Sequence, residues 1–229
     1  MDDLVILITG ANGGVGAATA ICLARPSTSY KVKAIILHYN SNSPKIQALK
    51  ENIKLINPEI KQSLCKLICH LEKKLRGCTI KLSRRPTGTL DKVSLETFEE
   101  TWKVNTLSSY HLTQLVVPSM LEKSFGRVIY NSSVAALTGG VVGSHYASSK
   151  SALHGMLHYF AGQYAKQGIT FNAVAPALIE DTIILPQGGG ELKAKIPVGR
   201  LGKPEEVASV VEVIIRNGFK RKAKTFHEN

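Results

Sequence analysis

The chain has 229 residues, of which 44% are hydrophobic and 20% charged, and its 29 lysines and arginines against 17 acidic residues give a formal net charge of +12. This length and composition suffice for a buried core without disulfides or metal ions, and they exclude an intrinsically disordered chain. We expect neither a membrane-spanning helix nor a signal peptide, because no apolar run is long enough and no basic segment precedes the first one. Four cysteines do not form a secreted disulfide framework at this length, so a reducing, cytoplasmic location is predicted.

The first predicted element is a strand at residues 4–8, whose continuous apolar run is typical of a strand buried on both faces. A glycine-rich turn follows it, and residues 15–24 have the pattern of a helix. A second apolar strand at residues 32–37 completes a βαβ unit. Two further elements come next, a helix at residues 44–56 and a strand at residues 63–68.

Strands and helices alternate again in the second half of the chain. A helix opens at Ser94 and extends to about residue 122, with an interruption or kink at Pro118, because proline removes a helical hydrogen bond. The following elements are a strand at residues 128–133, a helix at 147–166, a strand at 169–174 and a helix that begins at Pro204. This alternation predicts one α/β domain over residues 1–229, with a doubly wound, mostly parallel sheet and helices on both faces.

The segment at residues 9–16, T-G-A-N-G-G-V-G, lies where the first strand passes into a helix. Glycines there allow a tight turn and a close approach of the backbone to a pyrophosphate, and the helix N-terminus supplies free N–H groups. The spacing is G-x-x-x-G-x-G rather than the common dinucleotide pattern G-x-G-x-x-G. A glycine turn without a ligand remains open as an alternative, but the position directly after the first strand favours phosphate binding.

A phenol and an ammonium group lie four residues apart at Tyr146 and Lys150, hence on one face of the predicted helix. A free tyrosine has a pKa of about 10, and a nearby cation favours the phenolate, which makes the phenol a usable proton donor and acceptor. Ser133 ends the preceding strand, where its hydroxyl can polarise a carbonyl beside the same phenol. Most Tyr-x-x-x-Lys pairs are pairs on a solvated helix surface. The prediction that Tyr146 and Lys150 transfer protons therefore depends on the presence of Ser133 and the glycine loop in the same chain.

With these motifs in order, the chain resembles the short-chain dehydrogenase/reductases, and among them the compact, Rossmann-like, single-domain members similar to 3-oxoacyl-carrier-protein reductase. The resemblance covers residues 4–60 and 91–219. The matching segments are the T-G-x-x-x-G-x-G loop at residues 9–16, W-K-V-N at 102–105, N-S-S at 131–133, Y-x-x-x-K at 146–150 and N-A-V-A-P-A at 172–177. The resemblance implies hydride transfer between a nicotinamide dinucleotide and a carbonyl or secondary alcohol.

The resemblance also implies a role for each residue of the site. Tyr146 would be the general acid and base, Lys150 would activate it and bind the nicotinamide ribose, and Ser133 would polarise the substrate oxygen. Asn105 would hold a water that relays protons to Lys150. The residues expected around the dinucleotide, besides Asn105, Tyr146 and Lys150, are Gly10, Asn12, Gly14, Val15, Gly16, Asn40, Ser41, Asn42 and Ile179.

The coenzyme preference is predicted from the segment after the second strand. NAD-specific sites carry an Asp or Glu there, which binds the ribose 2′-hydroxyl. In this chain residues 38–42 read H-Y-N-S-N and contain no acid. Small polar donors without a repelling carboxylate tolerate a 2′-phosphate, so the segment favours NADP over NAD, although it has no arginine to bind the phosphate.

Residues 61–90 and 220–229 depart from the family pattern. The family's N-N-A-G segment is expected near residues 81–84, where the sequence reads K-L-S-R. This difference keeps open an alternative, a degenerate, non-catalytic or unstable member with impaired cofactor binding. Residues 61–85 carry seven net positive charges and residues 216–229 carry four, so the excess charge marks divergent sequence rather than an anionic partner.

The remaining partner predictions follow from what the sequence lacks and from the resemblance. The cysteines and histidine at residues 65–78 have a spacing that fits no closed zinc module, so we predict ordinary thiols and no metal. Nucleic-acid binding is not expected, because no recognition motif accompanies the positive charge. The resemblance implies a small-molecule substrate and a homodimer or homotetramer formed through the helices around residues 97–122 and 147–166.

Overall fold

The computed structural model describes residues 3–39, 44–65, 89–182, 193, 196–217 and 224–227. The chain divides into two compact units. The first comprises residues 1–78, 179–195 and 200–217, and the second comprises residues 79–178, 196–199 and 218–229. The single domain over residues 1–229 stays a prediction.

In chain order the strands and helices are β1 (Asp3–Ile8), α1 (Gly14–Ala24), β2 (Lys31–His38), α2 (Pro44–Ile56), β3 (Lys61–Cys65), α3 (Leu95–Trp102), α4 (Ser108–Glu122), β4 (Gly126–Asn131), α5 (Ala135–Thr138), α6 (Ser144–Tyr164), β5 (Ile169–Ala175), α7 (Pro204–Arg216) and β6 (Lys224–His227). A π-helical turn, Lys103–Leu107, joins α3 to α4. Short 3-10 turns precede α3 and follow α6, at Leu90–Lys92 and Ala165–Gln167.

The sheet of the first unit has the strand order β1-β2-β3, with both pairs parallel. Along α2, Ile46, Leu49 and Ile53 recur at the helical period and are buried, whereas Lys45 and Lys54 are exposed. The buried side chains of α2 join those of β2 in one apolar cluster, and α7 packs against α1. The amphipathic pattern therefore decides which face of α2 covers the sheet.

The sheet of the second unit has the order β4-β5-β6 and is also parallel throughout. Phe171 of β5 is fully buried, and its ring centroid lies 5.4 Å from that of Phe160 and 6.0 Å from that of Tyr164, both on α6. At the other end of α6, Lys150 reaches the carbonyl oxygen of Asn131, the last residue of β4. The helix thus runs antiparallel to the strands and begins at their carboxyl ends, where ligands bind in α/β proteins.

The α/β prediction with parallel strands is confirmed. Of the predicted interruption or kink at Pro118, the interruption is wrong and the kink stays a prediction. The helix α4 continues through Pro118, and the irregularity is the π turn before it. Gln114, whose carbonyl loses its helical donor, is exposed like Pro118, so water can satisfy that carbonyl. The helix can therefore tolerate proline at this position.

Several predicted boundaries also differ. The long helix α6 begins at Ser144, earlier than predicted, which places Tyr146 in its first turn. The strand β4 ends at Asn131, so Ser132 and Ser133 follow the strand instead of ending it. The strand β3 covers Lys61–Cys65, while residues 66–88, with the K-L-S-R segment, lie outside the described residues. Of the helices described, none combines the length and hydropathy that crossing a membrane requires.

Candidate active site

The glycine loop of the first unit forms a tight turn immediately before α1. Gly10 has a φ of +63°, which favours glycine, and its carbonyl oxygen accepts a hydrogen bond from the N–H of Gly13 at 2.9 Å. A side chain at Gly16 would clash with the same carbonyl oxygen. Because α1 begins at Gly14, its first N–H groups have no acceptor within the helix. The loop and the helix N-terminus together form a backbone cradle suited to a phosphate.

The other predicted dinucleotide contacts of the first unit lie in or after this loop. Asn12 is half-buried within the loop, and Val15 lies in the first turn of α1. Ile179 is buried and pairs with Gly202 in an isolated parallel bridge. Three of the predicted contacts lie outside the described residues, namely Asn40, Ser41 and Asn42.

The segment after β5 lies against the glycine loop. A Cβ atom on Gly14 would be 2.9 Å from the carbonyl oxygen of Asp181, so the two backbones approach closely. The N–H of Glu180 donates to the carbonyl oxygen of Gly202 at 2.9 Å. These contacts hold the segment that carries Ile179 between the start of α1 and the turn before α7.

An ion pair fixes the turn that leads into α7. Arg200 donates to both carboxylate oxygens of Glu206, at 2.8 and 2.6 Å, and the N–H of Lys203 donates to the same carboxylate at 2.7 Å. The hydrogen bonds from Arg200 hold the pKa of Glu206 well below its usual range, at about 2. Because both side chains are largely in solvent, the pair orders the turn more than it stabilises the fold.

In the second unit, Tyr146 and Lys150 occupy the first two turns of α6. The Nζ atom of Lys150 lies 5.7 Å from the centroid of the Tyr146 ring and donates to the carbonyl oxygen of Asn131 at 2.7 Å. The ammonium group is therefore held between the phenol ring and the end of β4. A cation at this place favours negative charge on the phenol oxygen during proton transfer.

Ser133 follows the end of β4 and is buried. Its hydroxyl oxygen accepts a hydrogen bond from the N–H of Ala135 at 3.2 Å and lies 3.5 Å from the carbonyl oxygen of Pro176. The hydroxyl thus sits where the chain leaves the sheet, two residues beyond the carbonyl that accepts from Lys150. The structure brings the predicted serine and lysine to the same strand end.

Asn105 lies in the π turn between α3 and α4. Its Nδ2 donates to Ser149 Oγ at 2.9 Å, and that hydroxyl donates to the carbonyl oxygen of Tyr146 at 2.8 Å. Thr106 also donates, through Oγ1, to the carbonyl oxygen of Ser149 at 3.0 Å. A π turn shifts side chains out of the helical register and is frequent at functional sites. Here it places the predicted asparagine against the helix that carries the tyrosine and the lysine.

Sequence reasoning missed three side chains that connect these residues. Ser149, on α6, is fully buried where that helix contacts the π turn. Ser132 Oγ lies 2.7 Å from Nε2 of His154. The sequence offers one signal for His154, which follows Lys150 by four residues and therefore shares its helix face. Ser149 occupies an unspecified position of the Y-x-x-x-K motif, so the motif gives no signal for it.

The first unit thus contains a backbone cradle suited to a phosphate, and the second unit contains Tyr146, Lys150 and Ser133 near the end of β4. The family model described as short chain dehydrogenase matches residues 4–187. The chain belongs to this family. As a short-chain dehydrogenase it is an NAD(P)-dependent oxidoreductase with a Rossmann-like fold, and the resemblance to 3-oxoacyl-carrier-protein reductases is confirmed.

Individual relatives span nearly the whole of this short-chain dehydrogenase. The 3-oxoacyl-[acyl-carrier-protein] reductase FabG of Thermotoga maritima is 31% identical over 222 residues, which cover 92% of this chain and 89% of the relative. The L-rhamnose 1-dehydrogenase (NADP(+)) of Thermoplasma acidophilum is 29% identical over 221 residues, 89% of this chain and 85% of the relative. The acetoin dehydrogenase YohF of Salmonella typhimurium has a similar structure, with a TM-score of 0.75 at 21% identity, covering 96% of this chain and 93% of YohF.

The structure describes two of the four cysteines of this short-chain dehydrogenase. Cys22 and Cys65 are free thiols, whereas Cys69, His70 and Cys78 lie outside the described residues. Within the described part of the chain, no group of three or more histidines, cysteines and acidic residues could hold a metal ion.

Proposed function

We propose that the chain is an NADP-dependent carbonyl reductase or alcohol dehydrogenase in which Tyr146 transfers the proton. The observation that supports this function best is the position of Lys150, whose ammonium group lies beside the Tyr146 ring and is fixed by the carbonyl oxygen of Asn131. Asn105 and Ser133 complete the set of side chains at this end of the second unit. The substrate is a small molecule with a carbonyl or a secondary alcohol.

The cofactor would be held by the backbone cradle of the first unit, at Gly10, Asn12, Gly14, Val15 and Gly16. The tight Gly10 turn and the unpaired N–H groups at the start of α1 fit a pyrophosphate. A bound nicotinamide supplies or accepts the hydride. The absence of an acid at residues 38–42 supports NADP, and one of the relatives is named as NADP(+)-dependent.

In the reduction direction, Tyr146 donates its phenolic proton to the substrate oxygen while the carbonyl carbon gains the hydride, and the product is an alcohol. Lys150 stabilises the phenolate that remains, and Ser133 donates a hydrogen bond that orients the substrate oxygen. Asn105, whose Nδ2 is bonded to Ser149, has its Oδ1 available for a water that returns a proton toward Lys150. Oxidation follows the same steps in reverse.

The first test is turnover of NADPH by the purified, folded chain with a panel of small ketones and 3-oxoacyl thioesters. Tyr146→Phe removes only the phenolic oxygen, and we expect it to lower kcat at least about a hundredfold, because it deletes the proton donor. Tyr159→Phe is the matched control, since Tyr159 is an exposed tyrosine on the same helix. Comparable kcat values for the two variants would remove Tyr146 from this role.

A second candidate is a degenerate member that binds the cofactor poorly, which the K-L-S-R sequence at residues 81–84 supports. The two candidates differ in dinucleotide affinity. Titration of the chain with NADPH, followed by nicotinamide fluorescence, separates them. Saturable tight binding supports the reductase, and a folded chain without binding supports the degenerate member.

We also propose a homodimer or homotetramer and a cytoplasmic location. The helices α4 and α6 lie side by side, with Tyr110 stacked on Phe160, and both carry exposed apolar side chains, including Leu115 and Tyr159. A second copy of the chain covering these residues would remove that apolar surface from water. The free thiols of Cys22 and Cys65 are compatible with a reducing compartment.

A further inference from the structure

The helix α6 carries a third polar side chain in line with the two that the proposed function uses. Tyr146, Lys150 and His154 are spaced four residues apart, so they follow one another along the same face of the helix. The tyrosine and the lysine have roles in proton transfer. The histidine lies one turn farther from the substrate end and has no role in the reaction as proposed.

His154 contacts the strand end that presents the catalytic groups. Its Nε2 lies 2.7 Å from the hydroxyl oxygen of Ser132, which also lies 3.4 Å from the carbonyl oxygen of Lys150. Ser132 is buried and stands between two residues of the proposed site. On one side is Asn131, whose carbonyl oxygen accepts from Lys150, and on the other side is Ser133.

The backbone around Ser132 is also bonded to β5 and to the residue that follows it. The N–H of Ser132 donates to the carbonyl oxygen of Val174 at 2.8 Å, and the N–H of Val134 donates to that of Pro176 at 3.1 Å. The strand end is therefore held by β5 through its backbone and by α6 through the side chain of Ser132. The backbone angles of Ser132 set both the direction of the Asn131 carbonyl and the position of Ser133.

We infer that His154 is a positioning residue which, through Ser132, holds the Asn131 carbonyl against Lys150 and holds Ser133 in place. This inference rests on the proposed function, because it concerns the geometry of that reaction. Without the hydrogen bond to His154, the buried hydroxyl of Ser132 loses its shortest polar contact. The backbone at the end of β4 is then free to rotate. A shift of the reacting groups by about 1 Å is enough to cost about a hundredfold in rate.

The test compares His154→Ala, Ser132→Ala and the double variant with the wild-type chain. We expect each single variant to lower kcat about ten- to a hundredfold, and the double variant to be no slower than the slower single one, since all three break the same contact. His154→Gln, which keeps a hydrogen-bonding group near the place of Nε2, should recover most of the rate. His158→Ala is the matched control, an exposed histidine one turn along the same helix.

Thermal midpoints of all variants separate positioning from stability. A merely structural histidine would lower Tm while kcat, measured well below Tm, stays at the wild-type value. Wild-type kcat in His154→Ala, or losses that add in the double variant, would overturn the inference. The inference would also be overturned if kcat of His154→Gln were as low as that of His154→Ala, because the loss of rate would then not come from the hydrogen bond.

A second measurement does not depend on turnover. Mass-spectrometric labelling with acetic anhydride reports how readily the Lys150 amine reacts, with the exposed Lys166 as an internal reference. Labelling of Lys150 should rise about three- to tenfold in both single variants, as expected for the loss of one hydrogen bond. If the folded wild-type chain has no turnover, the proposed function fails, and unchanged labelling of Lys150 then overturns the positioning role separately.

Discussion

Single hydroxyl groups connect the elements of the second unit. Ser149 joins the π turn to α6, and Thr113 of α4 shares a buried hydrogen bond of 2.8 Å with the hydroxyl of Tyr130 in β4. Removing the partner of such a buried hydroxyl lowers the free energy of unfolding by about 1–3 kcal/mol, because no water replaces the lost hydrogen bond. These serines and threonines therefore fix the relative positions of helices and strands more tightly than apolar contacts alone.

The role of Ser149 can be tested with Ser149→Ala. We expect kcat to fall about tenfold, because Asn105 loses the acceptor that orients its amide. Ser148→Ala is the matched control, since that serine accepts a hydrogen bond from Trp102 rather than from Asn105. Steady-state kinetics and thermal midpoints of both variants provide the comparison. Equal effects of the two substitutions on kcat would show that Ser149 acts only through stability.

The depressed pKa of Glu206 predicts a pH dependence of folding stability. The carboxylate titrates at about 2 in the folded chain instead of the ordinary 4.5, so its stabilising effect is complete above about pH 4.5 and is lost as the pH falls toward 2. Glu206→Gln should lower the urea midpoint at pH 6 and lose less stability than the wild type between pH 4.5 and pH 2.

The control for this measurement is Glu205→Gln, which removes an exposed carboxylate from the same helical turn. The effect of Glu206→Gln will be modest, because the side chains of the Arg200–Glu206 pair are largely in solvent. Parallel pH profiles for the two variants would contradict a specific contribution of the ion pair.

At the scale of elements, the proposed function depends on the starts of two helices. The N-terminal turn of α1 presents backbone N–H groups after the Gly10 turn, and the N-terminal turns of α6 present Tyr146 and Lys150. In both cases the helix follows the carboxyl end of a neighbouring strand within its own unit. This placement is a property of right-handed βαβ connections in parallel sheets.

The α1 turn can be tested with Gly16→Ala. The new methyl group would clash with the carbonyl oxygen of Gly10, so the loop must shift, and we expect NADPH affinity to fall about tenfold or more. Gly162→Ala is the control, because a Cβ there meets open space in the last turn of α6 and should leave the NADPH affinity unchanged. Fluorescence titration measures the affinities, and wild-type binding by Gly16→Ala would argue against the cradle.

The sequence predicts the features of this structure that depend on neighbouring residues better than those that depend on contacts between distant ones. The helix α2 follows from Ile46, Leu49 and Ile53, and the phosphate cradle from the glycine spacing, because periodicity and backbone freedom are local properties. The π turn has no local signature, since its extra residue is stabilised by contacts such as Asn105 to Ser149. The contact of Ser132 with His154 likewise depends on how α6 packs against β4, and the spacing of residues along the sequence does not predict that packing.

For the molecule as a whole, the excess charge and the exposed apolar side chains named above belong to different segments of the sequence. Eleven of the twelve net positive charges fall in residues 61–85 and 216–229, which leaves the remainder of the chain close to neutral. Apolar side chains are exposed on α4 and α6, with Leu115 and Tyr159 at 59% and 64%. A near-neutral body with exposed apolar helices is suited to association with copies of itself.

Self-association can be tested with Tyr159→Glu, which places a charge in the middle of the exposed apolar surface of α6. We expect the molar mass measured by light scattering after gel filtration to shift toward the monomer, because burying an unpaired carboxylate is costly. Leu55→Glu is the control, since Leu55 is 82% exposed on α2. An unchanged mass for Tyr159→Glu would place any interface elsewhere.

The π turn has a consequence for how this chain tolerates insertions and deletions. A π turn holds about one more residue than an α-helical turn, so removing one residue from Lys103–Leu107 would give a regular helix with little rotation of α4 relative to α3. Thr113 and Val117, which are buried, would keep facing the core, whereas Asn105 would lose the position from which it contacts Ser149. A one-residue deletion in this turn should therefore lower activity more than stability, whereas the same deletion within α4 would rotate its buried residues by about 100° away from the core.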